Sequence, residues 1–422
     1  MNFIKILFTR IFIAEAKMAL GRHKPKIIGI TGSAGKSSTK EAIFSVLSSK
    51  YSVRKSEKSY NSELGLSLAV LGLKTAWRNP FGWAKNVILG LRTVFSRDFA
   101  KILILEMGVD RPKDLDRLLK IARPEIGIIT AIGEIPVHVE FFSGSDEVAR
   151  EKSKLIKILS ASGFAVLNYD DVAVWDMKKD TRARVLGFGF GEGADVRAAH
   201  EKISLDGTTF KMQHQGSTVP IKLEYVFGKQ HIYAALAAAT VGIIHGMNLI
   251  EIAQSLNTYK PPPGRLNLVN GIKNSFILDD SYNASPLATH AALDALKELE
   301  GRRKIVVFGD MLELGKFTVV AHKAVGERVA KFADYFITVG PRSRFAAEEA
   351  IARGMDKDKI ASFSTSREAG IRLKDLIQEG DLILIKGSQS MRMERVAEEN
   401  MANPEEAERL LARQDKYWKN KE

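Results

Sequence analysis

The chain has 422 residues, of which 45% are apolar and 27% charged, with a formal charge of +13 at pH 7. That length supports two or three domains with their own cores, and the balance is that of a soluble globular protein. With no cysteine present, disulfides, thiolate metal sites and thiol nucleophiles are excluded. The positive charge favours anionic ligands: nucleotides, acidic peptides, phospholipid surfaces or nucleic acid. No nucleic-acid motif or basic-aromatic strip accompanies it, so no nucleic-acid partner is expected.

Residues 1–25 come first. Ile4, Leu7, Ile11, Ala14 and Met18 fall at helical spacing, with Lys5, Thr9 and Arg10 opposite. Lys5, Arg10, Glu15 and Lys17 interrupt the apolar character too often for a spanning helix, and no small-residue cleavage site follows. An amphipathic helix is predicted, lying either on its own domain or on a membrane surface.

The apolar run Ile27–Ile30 then reads as a buried strand feeding the turn Thr31-Gly32-Ser33-Ala34-Gly35-Lys36-Ser37-Ser38. A helix follows, with Ala42, Ile43, Val46 and Leu47 on its apolar side. Glycines let backbone N–H groups curl around an anion, and the helix points its positive end at the same place. A lysine reaches the outer phosphates, and the next hydroxyl completes a Mg²⁺ shell. Ile30 stands where the longer phosphate-loop pattern has its first glycine, so this is a shorter variant.

Strand-like runs at 102–107, 126–132 and 164–168 alternate with helical stretches at 115–121 and 148–159, which predicts a mainly parallel sheet covered by helices. Residues 184–227 read as a small antiparallel insertion, followed by helices at 233–244 and 249–256. Pro261-Pro262-Pro263 cannot continue a helix or central strand, so a boundary is placed between residues 26–260 and 261–422. Beyond it, strands at 276–279, 304–308, 335–339 and 382–385 and a helix at 286–299 form a second α/β unit.

Polar residues cluster at strand ends. Glu106 closes a buried run, where it could face the phosphate loop and hold Mg²⁺ with Ser37. His138 follows the next strand as a metal ligand or a structural histidine. Lys152 opens a helix where a metal site wants a carboxylate; a neutral amine that takes up CO₂ becomes one, as a carbamate. Asp279 and Asp280 end a strand, and adjacent aspartates there need cations or donors. The turns after 308 and 385 add two more polar strand ends and suggest a second binding edge.

The ordered motifs T-G-S-A-G-K-S, L-E-M-G, H-V-E-F-F, A-R-E-K, G-R-L, D-D-S-Y-N-A-S-P, G-D-M-L-E-L-G and K-G-S-Q-S resemble those of the Mur ligase family, from about Lys26 to about Ala397. The D-D-S-Y-N-A and G-D-M-x-E-L-G motifs are most similar to the branch that adds D-alanyl-D-alanine to a UDP-muramoyl peptide. The resemblance implies a phosphate-loop central domain with a mostly parallel sheet and a C-terminal Rossmann-like α/β domain. It implies a cytoplasmic ligase that uses ATP and Mg²⁺ to convert a peptide carboxylate to an acyl phosphate, which an incoming amine attacks.

By matching position, Thr31, Gly32, Ser33, Ala34, Gly35, Lys36, Ser37 and Ser38 would bind ATP, with Lys36 stabilising the transferred phosphoryl group. Arg265, Asp280 and Asn283 would close over the nucleotide. Ser37 and Glu106 would hold one Mg²⁺, and His138 with a carbamylated Lys152 a second. The sequence departs from the family in three places. Only residues 1–25 precede the ATP-binding region, where family ligases carry a UDP-sugar-binding domain. Gly228-Lys229-Gln230-His231 replaces the usual G-x-H-N, and Ala131 stands near a common asparagine. Two alternatives stay open: a folylpolyglutamate-type amide ligase, and a non-catalytic nucleotide-binding regulator.

Overall fold

The computed structural model describes residues 2–57, 60–77 and 79–419. Nine strands build the first sheet: β1 (Lys26–Thr31), β2 (Val53–Lys55), β3 (Ile102–Glu106), β4 (Ile126–Ile129), β5 (Phe164–Asn168), β6 (Arg184–Gly189), β7 (Val196–Ser204), β8 (Gly207–His214) and β9 (Ser217–Glu224). Their order is β2-β3-β1-β4-β5-β6-β7-β8-β9. Strands β1 to β7 pair in parallel with their neighbours, and β7, β8 and β9 form an antiparallel meander at the edge. The expected antiparallel insertion is therefore not separate. Residues 184–189 join the parallel ladder beside β5, and the meander extends the same sheet.

Helices cover both faces: α1 (Asn2–His23), α2 (Lys36–Ser48), α3 (Glu63–Leu71), α4 (Pro80–Phe95), α5 (Asp114–Leu119), α6 (Ser145–Lys157), α7 (Val172–Trp175), α8 (Lys229–Ile244) and α9 (Leu249–Leu256). One core joins α2, α8 and α9 to Ile28, Ile104 and Ile128; another joins α1, α3, α4 and α5 to Leu103 and Leu105. Burial on both sides explains why β1 and β3 read as near-continuous apolar runs.

Helix α1 does pack on its own domain, through a different face from the one the sequence singled out. Phe12, Ala16 and Ala19 are fully buried, and Phe8 and Phe12 meet Trp83 at 6.0 and 5.8 Å. Leu7 and Met18 stay about half exposed, at 48% and 49%. The helix is apolar on two sides, so spacing alone cannot choose between them. The larger area of the two phenylalanines decides it. The side chain of Ile4 lies outside the described residues.

Glu15 is buried between α1 and α4 beside Gly90, and neither carboxylate oxygen has a hydrogen-bond partner among the described residues. Desolvation pushes its pKa up to about 7. The folded state holds the proton more tightly than the unfolded one, so stability from this site falls as pH rises from about 4.5 to about 7. Glu15→Gln is expected to raise the melting temperature at pH 8, with a gain in stability of about 1–2 kcal/mol. The gain should vanish near pH 4. Equal shifts at both pH values would show that ionisation is not the cause.

A second sheet holds β10 (Asn267–Gly271), β11 (Ser275–Asp280), β12 (Arg303–Gly309), β13 (Tyr335–Val339), β14 (Ile360–Phe363) and β15 (Asp381–Lys386), in the order β10-β11-β15-β12-β13-β14. All pair in parallel except β10 with β11. Helices α10 (Pro286–Glu298) and α11 (Thr318–Val329) pack on it over a core that includes Leu278, Leu296, Val306 and Val325. The predicted runs at 276–279, 304–308, 335–339 and 382–385 are four of these strands. The unread ones are edge strands with mixed burial. The Lys260–Gly264 segment links α9 to β10 outside any helix or strand.

Candidate active site

The turn after β1 is shaped by its neighbours before any ligand arrives. Gly32 has φ +147°, and a Cβ there would lie 2.0 Å from Thr130 Oγ1; Gly35 caps α2 at φ +86°. No other residue fits both demands. Ser33 N–H donates to Ala131 O at 2.6 Å, and Thr130 Oγ1 donates to Ala34 O at 2.5 Å. The strand end after β4 thus braces the loop by its backbone, whatever side chain stands at 131. Thr31 Oγ1 and Ser33 Oγ are buried without hydrogen-bond partners among the described residues, an arrangement that suits a polyanion. Lys36 Nζ reaches back to Gly32 O at 2.7 Å. Burial lowers its pKa and Arg265 lowers it further, against the pull of Glu106 and Asp110.

Ser37 Oγ donates to both carboxylate oxygens of Glu106, at 3.2 and 3.1 Å. The pair is buried at the ends of β3 and the phosphate loop. Among the described residues no three His, Asp or Glu side chains form a metal cage. Mg²⁺ does not require one, because it is held by one or two carboxylates with phosphate oxygens and water completing the shell. One hydroxyl and one carboxylate beside a phosphate loop fit that pattern.

Lys152 on α6 is 1% exposed. Desolvation, reinforced by the positive charge of Lys36, brings its pKa down to about 7, while Asp110 and Glu151 oppose the shift. His138 lies between two carboxylates: Nε2 is 3.3 Å from Asp110 Oδ1 and Nδ1 is 2.6 Å from Glu313 Oε2. The second contact is an ion-pair distance without hydrogen-bond geometry, and it holds the Glu313 carboxyl below its ordinary range. His138 therefore ties the first unit to the loop after β12.

The second unit presents its own strand ends. Asp280, at the end of β11, ion-pairs with Lys386 at the end of β15, and Lys386 Nζ also donates to Asn283 O at 3.2 Å. Burial pushes Asp280 up and Lys386 down, and their contact opposes both shifts. Asp279 points elsewhere, accepts from Ser281 N–H at 3.1 Å, and is pushed by burial to about 7. The loops after β12 and β15 are laced together by Ser388: its N–H donates to Asp310 O at 3.0 Å, and its Oγ accepts from Leu312 N–H at 2.9 Å.

Arg265, just past the proline connector, lies over the Tyr282 ring at 4.3 Å, and its charge is felt by Lys36, Asp280 and Lys386. His231, at the start of α8, bridges the connector: its ring nitrogens lie 2.9 Å from Tyr259 Oη and 3.0 Å from Arg265 O. Burial lowers its pKa to about 4, so it is neutral there. Ser38 reaches the same Tyr259 hydroxyl. A chain of contacts thus runs from the phosphate-loop helix to the backbone of Arg265.

Comparison with known families then decides what this architecture is. The Mur ligase middle domain matches residues 30–242, and the Mur ligase glutamate ligase domain matches residues 264–389. The chain belongs to the Mur ligase family. The UDP-N-acetylmuramoyl-tripeptide–D-alanyl-D-alanine ligase of Bacillus subtilis is 28% identical over 391 residues, covering 92% of this chain and 79% of that protein. The enzyme of the same name from Escherichia coli is 29% identical, covering 92% and 80%. The crystal structure of MurF ligase from Thermotoga maritima in complex with ADP is similar at 27% identity and TM-score 0.75, over 93% of this chain and 83% of that one. A folylpolyglutamate synthase from Mycobacterium tuberculosis, at 14% identity and TM-score 0.64, shares the fold alone.

The residues singled out from the sequence lie in two groups, 31–38 with Glu106, His138 and Lys152, and Arg265 with Asp280 and Asn283, and the charge of Arg265 acts on Lys36. Asp110, Lys386 and Thr130 escaped the sequence reading. Lys386 opens K-G-S-Q-S, so its signal is position within a quoted motif, whereas Asp110 lies two residues past L-E-M-G and its signal is proximity to one. Thr130 gave no signal, since its contribution is a contact across two strands. Glu313 was quoted within its motif without a role.

Proposed function

We propose that this chain adds D-alanyl-D-alanine to a UDP-muramoyl tripeptide in the cytoplasm, forming an amide bond at the expense of ATP and releasing ADP and phosphate. The observation that carries this reading is the Ser37–Glu106 pair set against the phosphate loop, with Arg265 close enough for its charge to act on Lys36. Lys36 draws the γ-phosphoryl group of ATP toward the peptide carboxylate and offsets charge on its equatorial oxygens. Ser37 and Glu106 would hold Mg²⁺, which would offset the phosphate charge. A carbamylated Lys152 and His138 would hold a second Mg²⁺.

Arg265, Asp280 and Asn283 close over the nucleotide from residues 261–422, and water exclusion protects the acyl phosphate until the amine attacks. The phosphate loop and its Mg²⁺ ligands come from residues 26–260. The test supplies ATP, Mg²⁺, UDP-muramoyl tripeptide and D-Ala-D-Ala, and measures phosphate release with product mass. Release is expected only with both substrates present. Release with a folate and glutamate instead, and none with the muramoyl peptide, would replace this reading by the folylpolyglutamate type.

A further inference from the structure

Helices α1 and α4 leave a large apolar surface uncovered. On α4, Phe81, Ile88, Leu91 and Phe95 are exposed at 85, 63, 41 and 60%, at a spacing that lines one side of the helix. On α1, Leu7, Ala14 and Met18 do the same.

The two helices run side by side in the same direction. Phe8 and Phe12 meet Trp83, Glu15 meets Gly90, and Arg22 lies over the Phe95 ring at 5.5 Å. The contact row on α1 is 8, 12, 15, and the exposed row comes one residue earlier. The contact row on α4 is 83, 87, 90, 94, and the exposed row comes one residue later. Each residue turns a helix by about 100°. In a parallel pair, these opposite offsets turn both exposed rows to the same side, away from α3 and the sheet. They form one double stripe.

Charge flanks that stripe on both sides. Arg10 and Lys17 lie beyond it on α1, and Lys85 and Arg92 beyond it on α4, all exposed. Neither helix carries an exposed carboxylate; their single acid is the buried Glu15. Among the described residues no helix is long and apolar enough to cross a membrane.

We propose that this face docks in the plane of a bilayer surface that carries anionic headgroups. The apolar rows enter the headgroup boundary while lysine and arginine meet phosphate on either flank. Protein interfaces rim an apolar centre with mixed polar groups, and a rim of one sign on both flanks suits a uniformly anionic surface better. Two helices side by side also supply the apolar area that one short helix lacks.

The experiment is co-sedimentation of the full chain with phosphatidylcholine vesicles, with and without phosphatidylglycerol. The chain is expected to bind the anionic vesicles at low salt and to leave them as salt rises. Ile88→Ser with Phe95→Ser should weaken binding about tenfold or more, and Lys85→Glu with Arg92→Glu should remove the preference for phosphatidylglycerol. Leu7→Ser with Met18→Ser repeats the apolar test on the other helix should the first pair fail to fold. Absence of binding to anionic vesicles, or binding that both apolar pairs leave unchanged, would overturn the proposal. So would a dimer, seen by sedimentation velocity without lipid, that the same substitutions abolish, since a second copy would then be the occupant.

Discussion

Lys36→Ala is expected to fold normally and to release almost no phosphate from ATP. Helix α2 is anchored by Ala42, Ile43, Val46 and Leu47, all fully buried, and the turn before it is set by Gly32 and Gly35. The hydrogen bond of Lys36 to Gly32 O contributes little to that anchoring. What disappears is positive charge at the position where charge develops during phosphoryl transfer. Removing such a group costs about 3 kcal/mol or more of barrier, over a hundredfold in rate. A second effect follows, because the charge of Lys36 helps lower the pKa of Lys152. Without it Lys152 is more fully protonated at neutral pH, so the variant should also lose carbamate. Circular dichroism and single-turnover phosphate release check the two halves. A folded variant with near-normal turnover would remove this loop from the chemistry.

Much of this site was legible in the sequence, and the reason is local. A phosphate loop needs glycines at fixed offsets between an apolar strand and a helix, and all of that lies within residues 27–47. Parallel strands buried on both faces announce themselves as apolar runs, so β3, β5, β12 and β13 are read within a residue, while the run at 126–132 overshoots the end of β4 by three. Edge strands β10 and β14 were missed because half-covered strands carry no such run. The stripe that the sequence picks out on α1, left open between its own domain and a membrane, is the exposed one; both sides are apolar, and Trp83, far along the chain, marks the packed face. The same limit hid the latch between His138 and Glu313 and the His231 bridge across the connector. Each joins residues whose proximity exists only after two separate units have packed.

Lys152 is expected to be the residue whose replacement most clearly separates stability from activity. An amine that is 1% exposed, with a pKa near 7, is half neutral at physiological pH, and the neutral form is the one that adds CO₂. Its pKa in the folded protein lies below the ordinary lysine value of about 10.5, so folding disfavours its proton. Stability therefore rises with pH from about 7 to about 10.5, and below pH 7 the unmodified charged side chain is a full burden. Lys152→Met keeps the volume and removes that burden, so it should melt higher than the unmodified enzyme at pH 6, with the gain shrinking toward pH 10. Ligase activity should fall by about 3 kcal/mol of barrier or more, as for loss of an essential metal ligand. Lys152→Ala should recover part of that activity with a small added carboxylic acid, which can stand in for the carbamate. Carbon-13 bicarbonate should label the wild type with a carbamate resonance that both variants lack. An active Lys152→Met, or a wild type that takes no label while turning over, would leave Lys152 as a buried structural amine and no more.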